Sequence, residues 1–237
     1  MVINIVLIDL MSDITLIIPA KNEPNALPLV LEELKINNQT LKIIIIMDKD
    51  DKDTFEVAKK YKCKILFQSK KGYGNAIIEG ISASNTKYSC IFYADGSTDP
   101  FYVSKMLEKL NNKNLDLVFS SRYEKGAYSL DDDLITRIGN YFFTFIGNFF
   151  MKLKISDLLF TYIFARTECL KKMKLESNDY CLCVEIPFKA KLAKLKYSTI
   201  PCIERKRFAD KKKVKAFGDG LKILIYFFSK YLDFINR

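Results

Sequence analysis

The sequence predicts an α/β fold: one domain with a mostly parallel central sheet flanked by helices. Strand-like apolar runs alternate with helical patterns along the first 120 residues, an order that favours parallel strands joined by right-handed crossovers. A chain of 237 residues can bury a substantial core, and no composition shift marks a linker. The predicted strands are 14–18, 42–47, 63–67, 88–93 and 115–120, and the predicted helices are 26–37, 53–61, 74–83 and 101–111.

The first three strands each end in residues that form turns or carry charge. The first strand runs into Pro19 and the sequence Ala-Lys-Asn-Glu at 20–23. The second, a run of isoleucines, is followed by the acidic segment 48–53, which could also be a solvated turn that caps the next helix. After the third comes Lys-Lys-Gly-Tyr-Gly-Asn at 70–75, whose glycine spacing fails the dinucleotide pattern GxGxxG.

The fourth strand ends on a carboxylate, Asp95, within the sequence Tyr-Ala-Asp-Gly-Ser-Thr-Asp-Pro at 93–100. Ligands of open α/β sheets bind outside the carboxyl ends of the strands, and hard cations prefer carboxylates together with substrate phosphates. These residues therefore suggest a Mg²⁺ or Mn²⁺ site. The alternative is a simple strand-to-helix turn in which Asp99 caps the helix that starts near Pro100.

In this order and spacing the motifs resemble the family 2 glycosyltransferases of the GT-A fold, and within them the polyprenyl-phosphate (dolichyl-phosphate) sugar transferases. The resemblance covers about residues 12–220, which implies a GT-A domain there and leaves 221–237 as a C-terminal amphipathic helix. It implies an inverting hexosyltransferase that moves a sugar from a GDP- or UDP-linked donor to a polyprenyl phosphate at the cytoplasmic membrane face.

The resemblance also implies roles for individual residues. Asp95 matches the second carboxylate of the family's Asp-x-Asp motif, whereas Tyr93 replaces the first. Ser97 stands at a further metal-binding position, so Asp95 and Ser97 are the expected ligands of Mg²⁺ or Mn²⁺. The matching nucleotide-sugar positions in the first half are Pro19, Lys21, Glu23, Asp48, Lys71 and Ala94.

In the second half, the resemblance assigns Arg122 to the diphosphate or the acceptor and Glu185 to the position of the family's catalytic acid. Together with Asp95 these are the expected catalytic residues. Thr161 replaces a glycine of the family pattern. The late basic residues Arg205, Arg207 and Lys213 match a stretch that closes over the diphosphate.

Composition restricts the chemistry. Histidine is absent, so acid–base catalysis falls to Asp, Glu, Lys, Tyr or Cys, and none of the six cysteines forms a CxxC pair typical of zinc sites. We expect reduced thiols in a cytoplasmic protein, with Cys181 and Cys183 as an alternative redox pair. No run reaches the ~20 apolar residues of a membrane span, and the first ten residues lack the basic start of a signal peptide.

A net charge of +10 predicts an anionic partner. No nucleic-acid-binding signature accompanies the basic residues, so a sugar-nucleotide diphosphate, a lipid phosphate or an anionic membrane fits better, unless the cluster at 205–215 is only a solvated loop. Two segments rich in phenylalanine, 135–153 and 221–234, carry basic residues and resemble interfacial helices. A buried helix at 135–153 is the alternative, since its apolar residues cover more than one face.

The chemistry of the acceptor distinguishes two kinds of reaction. A sugar hydroxyl needs a positioned base at pH 7, whereas a phosphate monoester, with a second pKa near ~6, is already anionic. The phosphate acceptor is the one that the resemblance implies, and abundant Arg and Lys without His fit it. The alternatives are transfer to a sugar hydroxyl of a growing glycan, or a catalytically silent sugar-nucleotide or membrane-binding protein, which the substitution by Tyr93 suggests.

Overall fold

The structure, a computed structural model, describes residues 11–37, 40–209 and 216–235. Lys213, predicted to meet the diphosphate, lies outside the described residues. The described strands are β1 (Ile14–Ala20), β2 (Lys42–Met47), β3 (Lys64–Phe67), β4 (Tyr88–Ile91), β5 (Leu117–Ser121), β6 (Tyr128–Ser129), β7 (Ile163–Arg166), β8 (Tyr197–Pro201) and β9 (Ile203–Glu204). The described helices are α1 (Ala26–Asn37), α2 (Lys52–Ala58), α3 (Tyr73–Ala83), α4 (Phe101–Asn112), α5 (Leu134–Met151), α6 (Thr167–Lys172), α7 (Leu182–Leu192) and α8 (Ala216–Ile235).

A seven-stranded sheet organises the fold, with the strand order β3-β2-β1-β4-β7-β5-β8. Strand β7 runs antiparallel to both of its neighbours, β4 and β5, and the other pairs are parallel. Strands β6 and β9 form a separate two-stranded ribbon. The predicted α/β fold with a mostly parallel sheet is therefore confirmed.

Burial on both faces explains the apolar strands. Side chains alternate between the two faces of a sheet, so Ile17 and Ile46 join one buried cluster while Leu16 and Ile45 join the other. Helices cover both faces, as expected for parallel strands that are apolar throughout. This arrangement brings the carboxyl ends of β1, β2, β3 and β4 to one edge of the sheet, where the polar loops predicted above emerge.

The five strands and four helices predicted in the first half are present, with small shifts at their ends. Strand β4 ends at Ile91 instead of residue 93, so Tyr93 and Asp95 belong to the loop. Strands β6 to β9 were not predicted. The ribbon strands have only two residues each, and β7 enters the sheet antiparallel, outside the βαβ pattern.

Helices α5 and α8 pack against each other through aromatic rings. The Phe150 ring contacts Phe227, Phe228 and Tyr231 of α8, with ring centroids 5.1–6.2 Å apart. Phe227 is fully buried in this contact. In each of the two phenylalanine-rich helices, some aromatic rings are buried and others are exposed on the surface. Within the described residues, none of the helices is long and apolar enough to cross a bilayer.

Candidate functional site

The loop after β2 forms a charged cluster around Asp48. The Asp50 backbone N–H donates to Asp48 Oδ1 at 3.1 Å, and Lys71 Nζ lies 3.1 Å from Asp48 Oδ2 and 2.9 Å from Asp50 Oδ2. The Asp50 N–H and then Lys71 lower the pKa of Asp48, while Asp50 and then Asp48 raise the pKa of Lys71. The structure therefore brings together two predicted nucleotide-site residues, Asp48 and Lys71.

The loop after β1 is fixed against the same region by backbone donors. The Asn22 N–H donates to the Asp51 carboxylate, and the Glu23 N–H donates to Thr54 Oγ1 at 2.9 Å. Asp51 also caps α2, so the acidic segment serves both structure and site. Pro19 pairs with Ile46 within the sheet, Glu23 is buried, and Lys21 is exposed beside them.

Asp95 lies in a tight turn that its own side chain stabilises. Its Oδ1 accepts hydrogen bonds from the Ser97 N–H at 3.0 Å and from Ser97 Oγ at 2.7 Å. Gly96 has a positive φ of 84°, and a Cβ there would overlap the Phe208 ring, so both the turn and its packing require glycine. Ala94, beside Asp95, is buried.

Two neighbours of Asp95 make local hydrogen bonds. Ser97 is 1% exposed and directs its hydroxyl at the Asp95 carboxylate, and its role as a metal ligand stays a prediction. Asp99 precedes Pro100, the residue at the N-cap position of α4, and accepts from the Phe101 N–H at 2.9 Å. The carboxylate of Asp99 is therefore engaged at the start of α4, while Oδ2 of Asp95 lies toward Arg207.

The segment after β9 crosses this turn. The Arg205 N–H donates to the Ser97 carbonyl and the Phe208 N–H to the Asp95 carbonyl, at 2.9 and 2.8 Å. Arg207 forms a two-pronged pair with Asp131 and places a guanidinium nitrogen 3.6 Å from Asp95 Oδ2. These contacts bring Arg207 to the predicted metal carboxylate.

The Arg205 guanidinium pairs with both carboxylate oxygens of Glu33 on α1, at 2.7 and 2.9 Å, and also donates to the Thr98 carbonyl. These contacts tie the late segment to α1. The structure therefore shows the Arg205 guanidinium engaged by Glu33, and its role at the diphosphate stays a prediction.

Tyr93, which replaces the first motif carboxylate, is held by Thr161. The Thr161 N–H donates to the Tyr93 hydroxyl at 2.9 Å, and the Tyr93 and Thr161 hydroxyls lie 3.0 Å apart. The Tyr73 hydroxyl bonds the same Thr161 oxygen. Burial raises the pKa of Tyr93, so its hydroxyl stays neutral. The two departures from the family pattern, Tyr93 and Thr161, are therefore partners.

Arg122 is only 6% exposed. It binds Asp157 through two side-chain hydrogen bonds at 2.7 and 3.0 Å and lies within 3.4 Å of carboxylate oxygens of Asp132 and Glu204. Its guanidinium also stacks 4.5 Å from the Phe160 ring centroid. Burial raises the pKa of Glu204. Arg122 thus organises a buried ionic network, and its predicted role at the diphosphate or the acceptor stays a prediction.

Glu185 is fully buried at the start of α7. Its two oxygens accept from the backbone N–H groups of Glu176 and Ser177, both at 2.8 Å, and Lys189 Nζ lies 2.8 Å from Oε1. These partners hold the Glu185 carboxylate in place in the described structure, and its catalytic role stays a prediction.

The oxygen atoms around Asp95 show whether the site suits a divalent cation. The described residues contain no group of three Asp, Glu or Cys side chains that could hold a metal by itself. Among the described residues, Arg207 brings a charged donor to Asp95 Oδ2, with a guanidinium nitrogen 3.6 Å away. Mg²⁺ and Mn²⁺ bind through one or two carboxylates plus substrate phosphates, so the Asp95 carboxylate fits a metal that arrives with a diphosphate.

Comparison with known proteins identifies the family of the chain. The sequence model of the family described as "Glycosyl transferase family 2" matches residues 15–174. An uncharacterised glycosyltransferase of Mycobacterium tuberculosis is 29% identical over 109 residues, covering 46% of this chain and 48% of that protein, so the match spans about half the length of that relative. A dolichyl-phosphate hexose transferase of Haloferax volcanii is 24% identical over 212 residues, covering 89% of this chain and 90% of that protein.

The fold is similar to that of solved structures. Glucosyl-3-phosphoglycerate synthase of Mycobacterium tuberculosis in complex with Mn²⁺, UDP-glucose and phosphoglyceric acid has a TM-score of 0.72. The match has 15% identity and covers 92% of this chain and 79% of that one. The complex of the same enzyme with phosphoglyceric acid alone has a TM-score of 0.73 at 14% identity, and the match covers 94% of this chain and 83% of that one.

Proposed function

The chain belongs to glycosyl transferase family 2, and from this premise we propose that it is an inverting hexosyltransferase that moves one sugar from a GDP- or UDP-linked donor to a polyprenyl phosphate. The name of the Haloferax volcanii relative supports a lipid-phosphate acceptor. The solved neighbour bound to UDP-glucose supports a nucleotide-sugar donor.

The observation that carries the proposed acceptor is that four carboxylates in the second half of the chain, among them the predicted catalytic Glu185, are engaged by cations or backbone donors. Asp131 is paired with Arg207, Asp157 and Glu204 with Arg122, and Glu185 with Lys189 and two backbone donors. With no histidine in the chain, none of these groups is a vacant base for a hydroxyl. A phosphate monoester needs no such base, because it is anionic at pH 7.

In the proposed site, Asp48 and Lys71 lie at the nucleotide end, together with the loop of Pro19, Lys21 and Glu23. Asp95 would hold a Mg²⁺ or Mn²⁺ ion, with Ser97 fixing the carboxylate from behind. When bound, the ion neutralises charge that develops on the departing diphosphate. Arg207, already 3.6 Å from Asp95, adds a second positive charge at the same place.

We propose that the protein works at the cytoplasmic membrane face, docked through helices α5 and α8. Phe145 and Phe149 on α5 and Ile225 on α8 are 63–66% exposed. Exposed Arg137 and Lys152 on or beside α5 and Lys222 on α8 add positive charge. An exposed apolar face with basic residues beside it matches the surface of an anionic bilayer, where a lipid phosphate would be found.

A pH–rate profile tests the acceptor. With polyprenyl phosphate, the rate should fall as the pH drops through the second pKa of the acceptor, near ~6. A less acidic polyprenyl phosphonate should move this fall to higher pH, because the acceptor itself is the titrating group. A fall at the same pH for both acceptors would point to a protein base and to a hydroxyl acceptor, as in the alternative of transfer to a glycan. The absence of transfer to any acceptor, with retained nucleotide binding, would favour the silent binding protein.

A further inference from the structure

Glu185 and the Gly72-x-Gly74 turn meet through one short loop, residues 176–179. On one side of the loop, the Glu185 carboxylate accepts from the Glu176 and Ser177 N–H groups. On the other side, the Asn178 carbonyl accepts from the Asn75 N–H at 3.1 Å. The loop is therefore held between the start of α7 and the start of α3.

Both glycines of the turn face this loop. A Cβ added at Gly72 would overlap the Asn178 carbonyl oxygen, and a Cβ added at Gly74 would overlap the Ser177 carbonyl oxygen. Gly72 also has a φ of 149°, which side chains rarely adopt. The two glycines are thus explained by the approach of the loop backbone, independently of any phosphate.

The turn that receives the loop carries two groups of the proposed site. Lys71, just before Gly72, pairs with Asp48 in the nucleotide region. Tyr73, just after it, bonds Thr161, which in turn holds the Tyr93 hydroxyl two residues from Asp95. Tyr73 also stacks on Tyr180, which follows the loop, with ring centroids 4.9 Å apart.

We propose that Glu185 is a positioning residue: it fixes the loop 176–179, which seats the Gly72–Gly74 turn and so places Lys71 and Tyr73 for the donor. This rests on the proposed function and extends it to a residue that touches neither substrate nor metal. Lys189 balances the buried charge of Glu185. The loop is a second support for the site, besides the sheet edge.

Two substitutions disturb the loop 176–179 from opposite sides. Glu185→Gln replaces one acceptor oxygen by an amide that faces a backbone donor, and Gly74→Ala pushes a methyl group into the Ser177 carbonyl. Each should lower kcat/KM for the donor about tenfold to a hundredfold through misplacement, mainly by raising KM. The double variant should lose less than the product of the two single effects, because both substitutions displace the same loop.

The matched controls change the same chemical groups elsewhere. Glu176→Gln removes a carboxylate that also pairs with Lys189 but is 75% exposed, and it leaves the backbone N–H of residue 176 in place. Gly139→Ala adds a methyl group with no atom within 4 Å. Both should bind UDP and GDP with Mn²⁺ as the wild type does.

Binding and spectroscopy separate this proposal from the proposed function. Without any acceptor, Glu185→Gln and Gly74→Ala should weaken binding of UDP or GDP and reduce the near-ultraviolet circular dichroism of the Tyr73–Tyr180 pair, with the far-ultraviolet signal retained. If Gly74→Ala does not fold, Tyr73→Phe serves as the second substitution, because it removes the Tyr73 hydroxyl that bonds Thr161. The pH–rate profile of Glu185→Gln should keep its shape. A Glu185→Gln variant that binds nucleotide normally but loses turnover, or loses the acidic fall of its pH profile, would overturn the positioning role and restore a catalytic one.

Discussion

Membrane docking through α5 and α8 predicts a large effect from two substitutions, Phe149→Glu on α5 and Phe228→Glu on α8. The Phe149 and Phe228 side chains are 66% and 43% exposed, so each has apolar surface left to bury. Full burial of a phenylalanine contributes about 1.5–3 kcal/mol, so these fractions correspond to about 2–3 kcal/mol together. Each glutamate near an anionic surface costs a further ~1 kcal/mol.

The double variant should therefore bind anionic vesicles about 4 kcal/mol more weakly, which is roughly a thousandfold in the dissociation constant. Sedimentation with vesicles of phosphatidylglycerol and phosphatidylcholine measures this directly. The matched control is Phe101→Glu with Ile36→Glu, which carries the same charge change at side chains 56% and 81% exposed on α4 and α1. The control should stay on the vesicles, apart from the electrostatic loss shared by both variants.

Salt provides an independent measurement on the wild type. The attraction of basic residues to anionic lipid is screened, since the Debye length falls from about 10 Å at 0.1 M to about 3 Å at 1 M salt. The apolar contribution is not screened, so binding should weaken at high salt without vanishing. If the double variant stays on the vesicles as firmly as the wild type, or the wild type never binds them, the exposed rings do not dock on lipid.

Three further predictions concern single residues of the site. Asp95→Asn should abolish the Mn²⁺ dependence of UDP or GDP binding in calorimetry. The free energy of unfolding should change by only about 1 kcal/mol, because the amide oxygen of asparagine can still accept from Ser97. Unchanged metal dependence would remove Asp95 as a ligand. Arg122→Met should lower the free energy of unfolding by about 3–5 kcal/mol in urea titrations, because Asp157 is left buried and unpaired, and a loss confined to kcat would contradict this structural role. The pKa of Asp48 is lowered in the fold, so its stabilising contribution is present above its unfolded pKa of about 3.9 and is lost as the pH falls below that value. Asp48→Asn should therefore flatten the decline in stability below pH ~4, and an unaltered decline would mean that the pair of Asp48 with Lys71 does not stabilise the fold.

Local sequence patterns were sufficient for the first half of the fold. Strands β1, β2, β4 and β5 are largely apolar runs with buried side chains, and such runs are visible without any tertiary information. Strand β3, at the edge of the sheet, is only partly buried. The position of Asp95 at the carboxyl end of β4 was predictable for a related reason, because the end of a buried strand locates the loop that follows it. Its role as a metal ligand stays a prediction. Strand β7 escaped prediction because its antiparallel pairing with β4 and β5 depends on contacts distant in the sequence.

The roles of the charged residues were harder to predict, because a motif identifies a position but not the partners of its side chain. Arg122 and Arg205 match basic positions of the family pattern, yet Asp157 and Glu33 engage them, and neither acid lies near its partner in sequence. Glu185 is likewise engaged by backbone donors at 176 and 177. The departures from the family pattern at Tyr93 and Thr161 were both visible in the sequence, but only the structure shows that the two residues are hydrogen-bonded to each other.

The most direct measurement of the proposed function is the identification of the transfer product. The purified protein would be incubated with Mn²⁺, polyprenyl phosphate and radiolabelled GDP- or UDP-sugars. Parallel reactions would contain polyprenol or 3-phosphoglycerate in place of the polyprenyl phosphate. Transfer to the lipid phosphate predicts label in an organic-soluble product whose sugar is released by mild acid, and none in the polyprenol reaction. Label that appears only in free sugar, an oligosaccharide or a phosphoglycerate adduct would contradict the polyprenyl phosphate acceptor.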